Sequence, residues 1–368
     1  MQMFSERVKS IDISGIRKMF EGAGPNAINM GLGQPDFDTP AHIKKAAIDA
    51  INAGFTGYTP NLGIGELREA LCRKFKQENH FNVAPDEVIV TSGASEGLHL
   101  ALQALVDRGD EVLIPDPGFV SYMALTRMAG GKVVGVPLGE ELTLAPDAVN
   151  EAITSSTRAI IINSPSNPTG TVQGKHEIKA LAEIADDKNI TIISDEVYEH
   201  FIYEGEHVSP AQFSDNVITV NAVSKTYAMT GWRIGYLAAR KEYIEQMLKV
   251  HQYIQACACS ISQKAALAAI EGPQECVGQM RESFRKRRDI LMEGLNGMGI
   301  KCVRPQGAFY AFPEVADEEA PQKLIKNGVI VVPGASFGEH GKGHIRISYA
   351  TSEENIMRAL GIMEKVLK

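Results

Sequence analysis

Between about residues 88 and 240, short β-branched runs alternate with stretches of helical periodicity, the pattern of a mainly parallel sheet covered on both faces. Val88-Ile89-Val90, Val112-Leu113-Ile114, Ala159-Ile160-Ile161-Ile162, Ile190-Thr191-Ile192-Ile193 and Val217-Ile218-Thr219-Val220 read as strands. Helices are predicted between them, among them Glu96 to Val106 and His176 to Asp187. From Arg240 to about Arg288 the pattern becomes that of long helices, interrupted near Cys257 to Ser260. It then changes to short strands at Ile300 to Val303, Ala308 to Phe312 and His344 to Tyr349, a smaller mixed sheet closed by a helix from Glu353 to Leu367. The fold class is therefore α/β with two parts. A larger part spans 41–270 and a smaller one 271–368, and the segment 1–40, rich in Gly and Pro from Gly22 to Pro40, is expected to return to the smaller part. No internal repeat or low-complexity tract is visible.

A length of 368 residues agrees with two cores, and 44% apolar with 22% charged residues is ordinary for a folded chain. The net charge of −8 comes from acidic residues spread along the sequence. The densest basic stretch, Arg285-Lys286-Arg287-Arg288, lies inside a helical pattern and reads as a solvated helix face, so no nucleic-acid partner is expected. Five cysteines, with no CxxC pair, are too few for a disulfide framework and suit a reducing cytoplasm. No run of 18 apolar residues and no leader-like apolar stretch after Met1 to Ser10 is present, so neither a membrane span nor export is expected.

Ligands of open parallel sheets sit beyond the carboxyl ends of the strands, so the residues after each apolar run carry the candidate chemistry. After Val90 come Thr91-Ser92-Gly93-Ala94-Ser95-Glu96, small residues opening a helix whose free N–H groups suit a phosphate. After Ile162 comes a turn-rich loop that presents the Asn167 amide; after Ile193 come Asp195 and Tyr198; after Val220 comes Lys225, then Arg233 eight residues on. Each has a bland reading as a cap, an Asx turn or a solvated lysine. Together they are the groups that pyridoxal phosphate requires: an amine for its aldehyde, a carboxylate for its pyridine nitrogen, a phenol and an amide for its ring oxygen, and a guanidinium for its phosphate.

Asn167-Pro168-Thr169-Gly170, Ser194-Asp195-Glu196-Val197-Tyr198 and Ser224-Lys225-Thr226-Tyr227-Ala228-Met229-Thr230-Gly231-Trp232-Arg233-Ile234-Gly235 resemble the signature segments of class I pyridoxal-phosphate-dependent aminotransferases with the aspartate aminotransferase fold. The resemblance runs from Gly31-Leu32-Gly33-Gln34-Pro35-Asp36-Phe37 to His344-Ile345-Arg346-Ile347-Ser348-Tyr349, and within the family is greatest to the prokaryotic and archaeal aspartate and aromatic branch. It implies fold type I of the pyridoxal-phosphate-dependent transferases, with a mainly parallel seven-stranded sheet in the large domain. It implies Lys225 as the Schiff-base lysine, Asp195 at the pyridine nitrogen, Asn167 and Tyr198 at the ring oxygen, and Phe119 stacked on the ring. Arg233 with Gly93, Ala94 and Ser95 would hold the phosphate, and Arg346 with the Gly33 backbone the substrate carboxylate, beside Phe119 and Asn167. Tyr58 matches a tyrosine that reaches the phosphate of the neighbouring subunit, which implies a homodimer with shared sites. Where some relatives have a phosphate-contacting serine three residues before the lysine, this chain has Ala222, and where acidic-specific relatives can carry a lysine in the phosphate turn it has Ser95.

The expected activity is transfer of the amino group of aspartate or aromatic amino acids to 2-oxoglutarate by a ping-pong mechanism. Other reactions on the same scaffold, a β-lyase or an alanine or branched-chain aminotransferase, are the enzymatic alternatives, and a regulatory module the non-enzymatic one. Gly334-Ala335-Ser336-Phe337-Gly338 fits GxSxG, yet a loop rather than a helix is predicted after it, against a serine nucleophile. Gly31-Leu32-Gly33 lacks a third glycine for a dinucleotide. His340 and His344 sit in a glycine loop, and no metal ion is expected.

Overall fold

The computed structural model describes residues 4–11, 24 and 26–367; residues 1–3, 22, 23 and 25, on which parts of the N-terminal reading rest, lie outside these. Among the described residues the strands are, in chain order, β1 (Ile28–Asn29), β2 (Val88–Thr91), β3 (Glu111–Asp116), β4 (Lys132–Pro137), β5 (Thr157–Asn163), β6 (Thr191–Asp195), β7 (Val217–Ala222), β8 (Gly235–Ala238), β9 (Tyr310–Ala311), β10 (Val329–Ile330), β11 (Val332–Pro333) and β12 (Ile345–Ser348). Seven form one sheet in the order β2-β8-β7-β6-β5-β3-β4. Neighbours run parallel except at β8, which is antiparallel to both β2 and β7.

Side chains alternate across a strand, and here alternate residues feed different cores. Val88 and Val90 of β2 enter one apolar cluster with the helices Ala41–Asn52, Gly65–Lys74 and Ser260–Glu271, while Ile89 enters another with Ala94–Leu105 and Lys241–Ile254. In β5, Ile160 and Ile162 likewise face away from Ala159 and Ile161. Both faces are covered, which is why these strands read as continuous apolar runs.

A three-stranded antiparallel sheet, β11-β12-β9, and the parallel pair β1-β10 make up the smaller sheets. The pairing of β1 with β10 joins Ile28 and Asn29 to Val329 and Ile330. Around them Phe284 of the helix Glu275–Gly297 packs on Phe37, Phe201 and Phe309, with ring centroids 5.4, 5.1 and 5.1 Å apart.

Three expectations need correction. Residues 300–303 form no strand: Lys301 O accepts one bond from Glu314 N–H (2.9 Å), and Pro305, which has no N–H, stands two residues further on. β4 and β8 were not foreseen, because Gly135 and Pro137 punctuate an outer, largely exposed strand and β8 is only four residues long. The basic stretch is not a uniformly solvated face. The helix turns Arg287 and Arg288 inward, where they are buried and bind Asp36 (2.6 Å) and Glu204 (2.8 Å), while Lys286 faces outward.

Phe284→Ala should lower stability by roughly 3–5 kcal/mol, because it empties a fully buried site among three aromatic rings. Urea unfolding followed by tyrosine fluorescence measures this; a loss below about 1 kcal/mol contradicts the packing described.

Candidate active site

The strands β2, β5, β6 and β7 run in one direction, so their carboxyl ends lie along one edge of the sheet. In register, Asn163 of β5 stands beside Asp195 of β6, and Val220 of β7 stands on its other side. Beyond β7 a single helical turn, Val223–Thr226, carries Lys225. A cavity of about 230 Å³ opens here, lined by Gly33, Ala94, Ser95, Phe119, Asn167, Asp195, Tyr198, Lys225, Arg233 and Arg346. Ten of the twelve residues singled out from the sequence thus converge. Gly93 lies directly behind, and Tyr58 is 91% exposed and lines no part of the cavity in its own chain.

Lys225 donates from Nζ to Gly33 O (2.6 Å) and lies 5.8 Å from the centre of the Tyr198 ring. Burial, reinforced by the Arg346 guanidinium and opposed by Asp195, lowers its pKa to about 8. Burial raises Asp195 to about 6, although Tyr122 Oη donates to its Oδ2 (2.7 Å) and Val197 N–H to its Oδ1. Desolvation thus moves both groups toward neutrality.

Asn163 fixes the neighbouring loop: its Oδ1 accepts from Asn167 N–H (2.8 Å) and its Nδ2 donates to Asp195 O (2.9 Å). Arg346, on β12 and 1% exposed, donates from Nη1 to Asn167 Oδ1 (2.9 Å) and from Nη2 to Gly31 O. Its guanidinium lies 4.7 Å from the Tyr310 ring and 5.0 Å from the Phe337 ring, and its Nε has no partner. A buried cation with an unused donor suits an anionic ligand.

At the other end, the helix Ala94–Leu105 begins on Gly93, whose φ of +79° favours glycine. A Cβ there would also collide with the Arg233 guanidinium, so the glycine leaves Arg233 lying against the turn. The first-turn N–H groups of Ala94 and Ser95 have no intrahelical acceptor, and Arg233 is exposed beside them. Behind the turn, buried Glu96 accepts from Ser92 N–H and pairs with buried His251 (2.8 Å).

Glu78, Glu196, Glu199, His200 and His207 bring metal-ligand residue types close together. Their oxygens are already engaged. Glu196 accepts from Ser194, Ser209, Asn79 and His207, and Glu199 from Lys74, Asn79 and Asn221. This network is a support under the sheet edge, since Glu196 adjoins Asp195 and Asn221 Oδ1 holds Ala222 N–H (2.7 Å) at the start of the Lys225 turn.

The sequence reading missed Tyr122, Asn163 and Tyr310 as cavity residues. Tyr122 was within reach of it, since it follows Phe119 by three residues at the start of a helix and so shares its face. Tyr310 gives no such signal, because its partners lie far away in sequence. Ser336 lies within one short turn, Gly334–Phe337, followed by another, Glu339–Gly341, so it does not lead into a helix as a nucleophile elbow would.

The sequence model of the family "Aminotransferase class I and II" matches residues 25–362. The chain belongs to this family. It is 50% identical to the probable aspartate aminotransferase of Methanocaldococcus jannaschii, over all of both chains. To the aromatic-amino-acid aminotransferase 2 of Thermococcus litoralis it is 42% identical, over 99% of this chain and 98% of that one. The structure of Thermus thermophilus aspartate aminotransferase with maleate superposes with a TM-score of 0.96 at 42% identity, covering both chains completely. The protein is an aminotransferase with the aspartate aminotransferase fold.

In this aminotransferase Lys225 should react as a free amine with a midpoint near pH 8, being protonated below and nucleophilic above. Trace acetylation of the protein stripped of small molecules, read by peptide mass spectrometry against pH, tests this. A midpoint near the ordinary lysine value of 10.5 contradicts the desolvated site.

Proposed function

We propose that the protein uses pyridoxal 5′-phosphate to move the amino group of aspartate or aromatic amino acids to 2-oxoglutarate by a ping-pong mechanism. The observation that carries this is Lys225 set among Asp195, Tyr198 and Arg346 in one cavity. The residues fit the cofactor: the Gly93 turn is free of a Cβ that Arg233 would meet, and Arg346 retains an unpartnered donor for a second anion.

When bound, the cofactor supplies a carbonyl for the amine and a ring that accepts an electron pair. Lys225 Nζ would hold the cofactor by its carbonyl and, when free, would act as the base that takes up and returns the substrate Cα proton. Asp195 would sit against the pyridine nitrogen and favour its protonated form. Tyr198 and Asn167 would donate to the ring oxygen, Phe119 would pack on the ring, and Arg233 with Gly93, Ala94 and Ser95 would hold the phosphate. Arg346 grips the α-carboxylate beside the Gly33 backbone.

For the donor, Leu32, Leu98 and Phe119 offer apolar surface to an aromatic side chain. The cations lining the cavity among the described residues are Lys225, Arg233 and Arg346, each with a task, so a side-chain carboxylate would meet Ser95 or a group of a second subunit. A homodimer with shared sites is supported by the exposure of Tyr58 (91%) and Tyr253 (87%), aromatic surface that a partner would cover. The division into a large domain, 41–270, and a small one, 1–40 with 271–368, has support in the pairing of β1 with β10. A cytoplasmic setting agrees with the five free cysteines. No helix among the described residues is long and apolar enough to cross a membrane.

Lys225→Ala should abolish turnover and the visible band of the reconstituted enzyme; retention of both overturns the mechanism. Loss of that band in single turnover should follow addition of aspartate or of phenylalanine and tyrosine, and double-reciprocal plots against 2-oxoglutarate should be parallel. Reaction with alanine or branched-chain donors only, or ammonia released without an acceptor, defeats the substrate reading. Arg346→Lys should lower kcat/KM on the order of 100-fold, by loss of charge-assisted bonds to the carboxylate.

A further inference from the structure

Tyr310 touches three parts of the site at once. Its Oη is 2.8 Å from Tyr198 Oη, its ring lies under the Arg346 guanidinium at 4.7 Å, and a Cβ on Gly33 would overlap its hydroxyl. It is 1% exposed and stands on β9, next to the β12 strand that carries Arg346. Groups of charge facing the two phenols are Asp195, Lys225 and Arg346, with Tyr122 behind Asp195.

Resting on the cofactor reading above, we propose that Tyr310 is a positioning residue with two separable parts: its hydroxyl donates into Tyr198 Oη, and its ring orients Arg346. The proton accounting fixes the direction of that donation. Two neutral phenols hold two protons, and only one can lie between the oxygens. With an anionic ring oxygen in the cavity, Tyr198 must keep its own proton for that oxygen, so the shared one comes from Tyr310. A phenol that accepts a hydrogen bond becomes a stronger donor, so the Tyr310 hydroxyl strengthens the bond that Tyr198 makes. The face of the same ring meets the guanidinium by cation–π attraction, which needs no hydroxyl.

A donor to the ring oxygen stabilises its negative charge and so favours loss of the proton that this oxygen shares with the Lys225 nitrogen. Removing the donor raises the pH at which the bound cofactor's visible band titrates. Tyr310→Phe should raise that pH by roughly half to one unit, in the same direction as and less than Tyr198→Phe, with little change in KM. Tyr310→Leu, which removes the ring as well, should show a similar spectral shift and in addition a KM for the amino acid raised on the order of tenfold.

The wild type, Tyr198→Phe, Tyr310→Phe and Tyr310→Leu are reconstituted with pyridoxal 5′-phosphate and titrated by absorbance, and their KM and kcat are measured. A Tyr310→Phe transition unmoved while that of Tyr198→Phe rises overturns the relay and leaves the cofactor reading standing. An unmoved transition in Tyr198→Phe, or no titrating band in the wild type, fails the cofactor reading itself and the proposal with it. Equal KM values for Tyr310→Phe and Tyr310→Leu overturn the role of the ring.

Discussion

Parallel strands covered on both faces must end along one edge, and the site is assembled on that edge. The strands are mostly apolar until their carboxyl ends, where Asn163 of β5, Asp195 of β6 and the turn after β7 carry the polar groups of the site. Their position in a low-dielectric rim gives them their character. Burial pushes the Asp195 carboxyl up and the Lys225 ammonium down, and the two are close enough for each to oppose the shift of the other. A lysine of this kind is a usable nucleophile near neutral pH, and a carboxylate of this kind holds a facing cation strongly.

Such an edge must itself be held rigid, because a displacement of about 1 Å at reacting atoms costs much of the rate. The support is polar and buried. Lys74, Asn79, Ser194, Ser209, Asn221 and His207 satisfy the oxygens of Glu196 and Glu199, one of them adjacent in sequence to Asp195 and the other bonded to the residue that opens the Lys225 segment. Breaking one partner of such a set leaves an uncompensated charge in a dry place, which is more damaging than the pair is stabilising. Glu96 and His251 do the same for the turn at Gly93.

Much of the fold was legible because both signals it uses are local. Continuous apolar runs marked β2, β3, β5, β6 and β7, and the helix Glu353–Leu367 was read to the residue. Lys225, Asp195, Tyr198 and Asn167 were legible because each lies at or just past the end of a strand, and with Arg233 they spell a family motif. What escaped depends on contacts between distant residues. Tyr310 meets Tyr198 across 112 positions and Tyr122 meets Asp195 across 73, and no periodicity encodes such a meeting. The basic stretch misled for a related reason: charge alone says nothing of Asp36 and Glu204 waiting on other elements to receive Arg287 and Arg288. The false strand at 300–303 shows the limit of a short apolar run, which tertiary context leaves as an extended connection.

Arg346 shows how the site sets function against stability. A guanidinium at 1% exposure loses its hydration, and it recovers only part of that loss from Asn167, Gly31 O and two aromatic faces, since Nε is left without a partner. An apolar residue of similar size would avoid this cost and pack between Tyr310 and Phe337 equally well. In the proposed role a carboxylate in that cavity would meet a donor group already desolvated and oriented, so binding would add charge pairing with little further ordering cost. On the proposed reading, the incomplete satisfaction of Arg346 is what an α-carboxylate would complete.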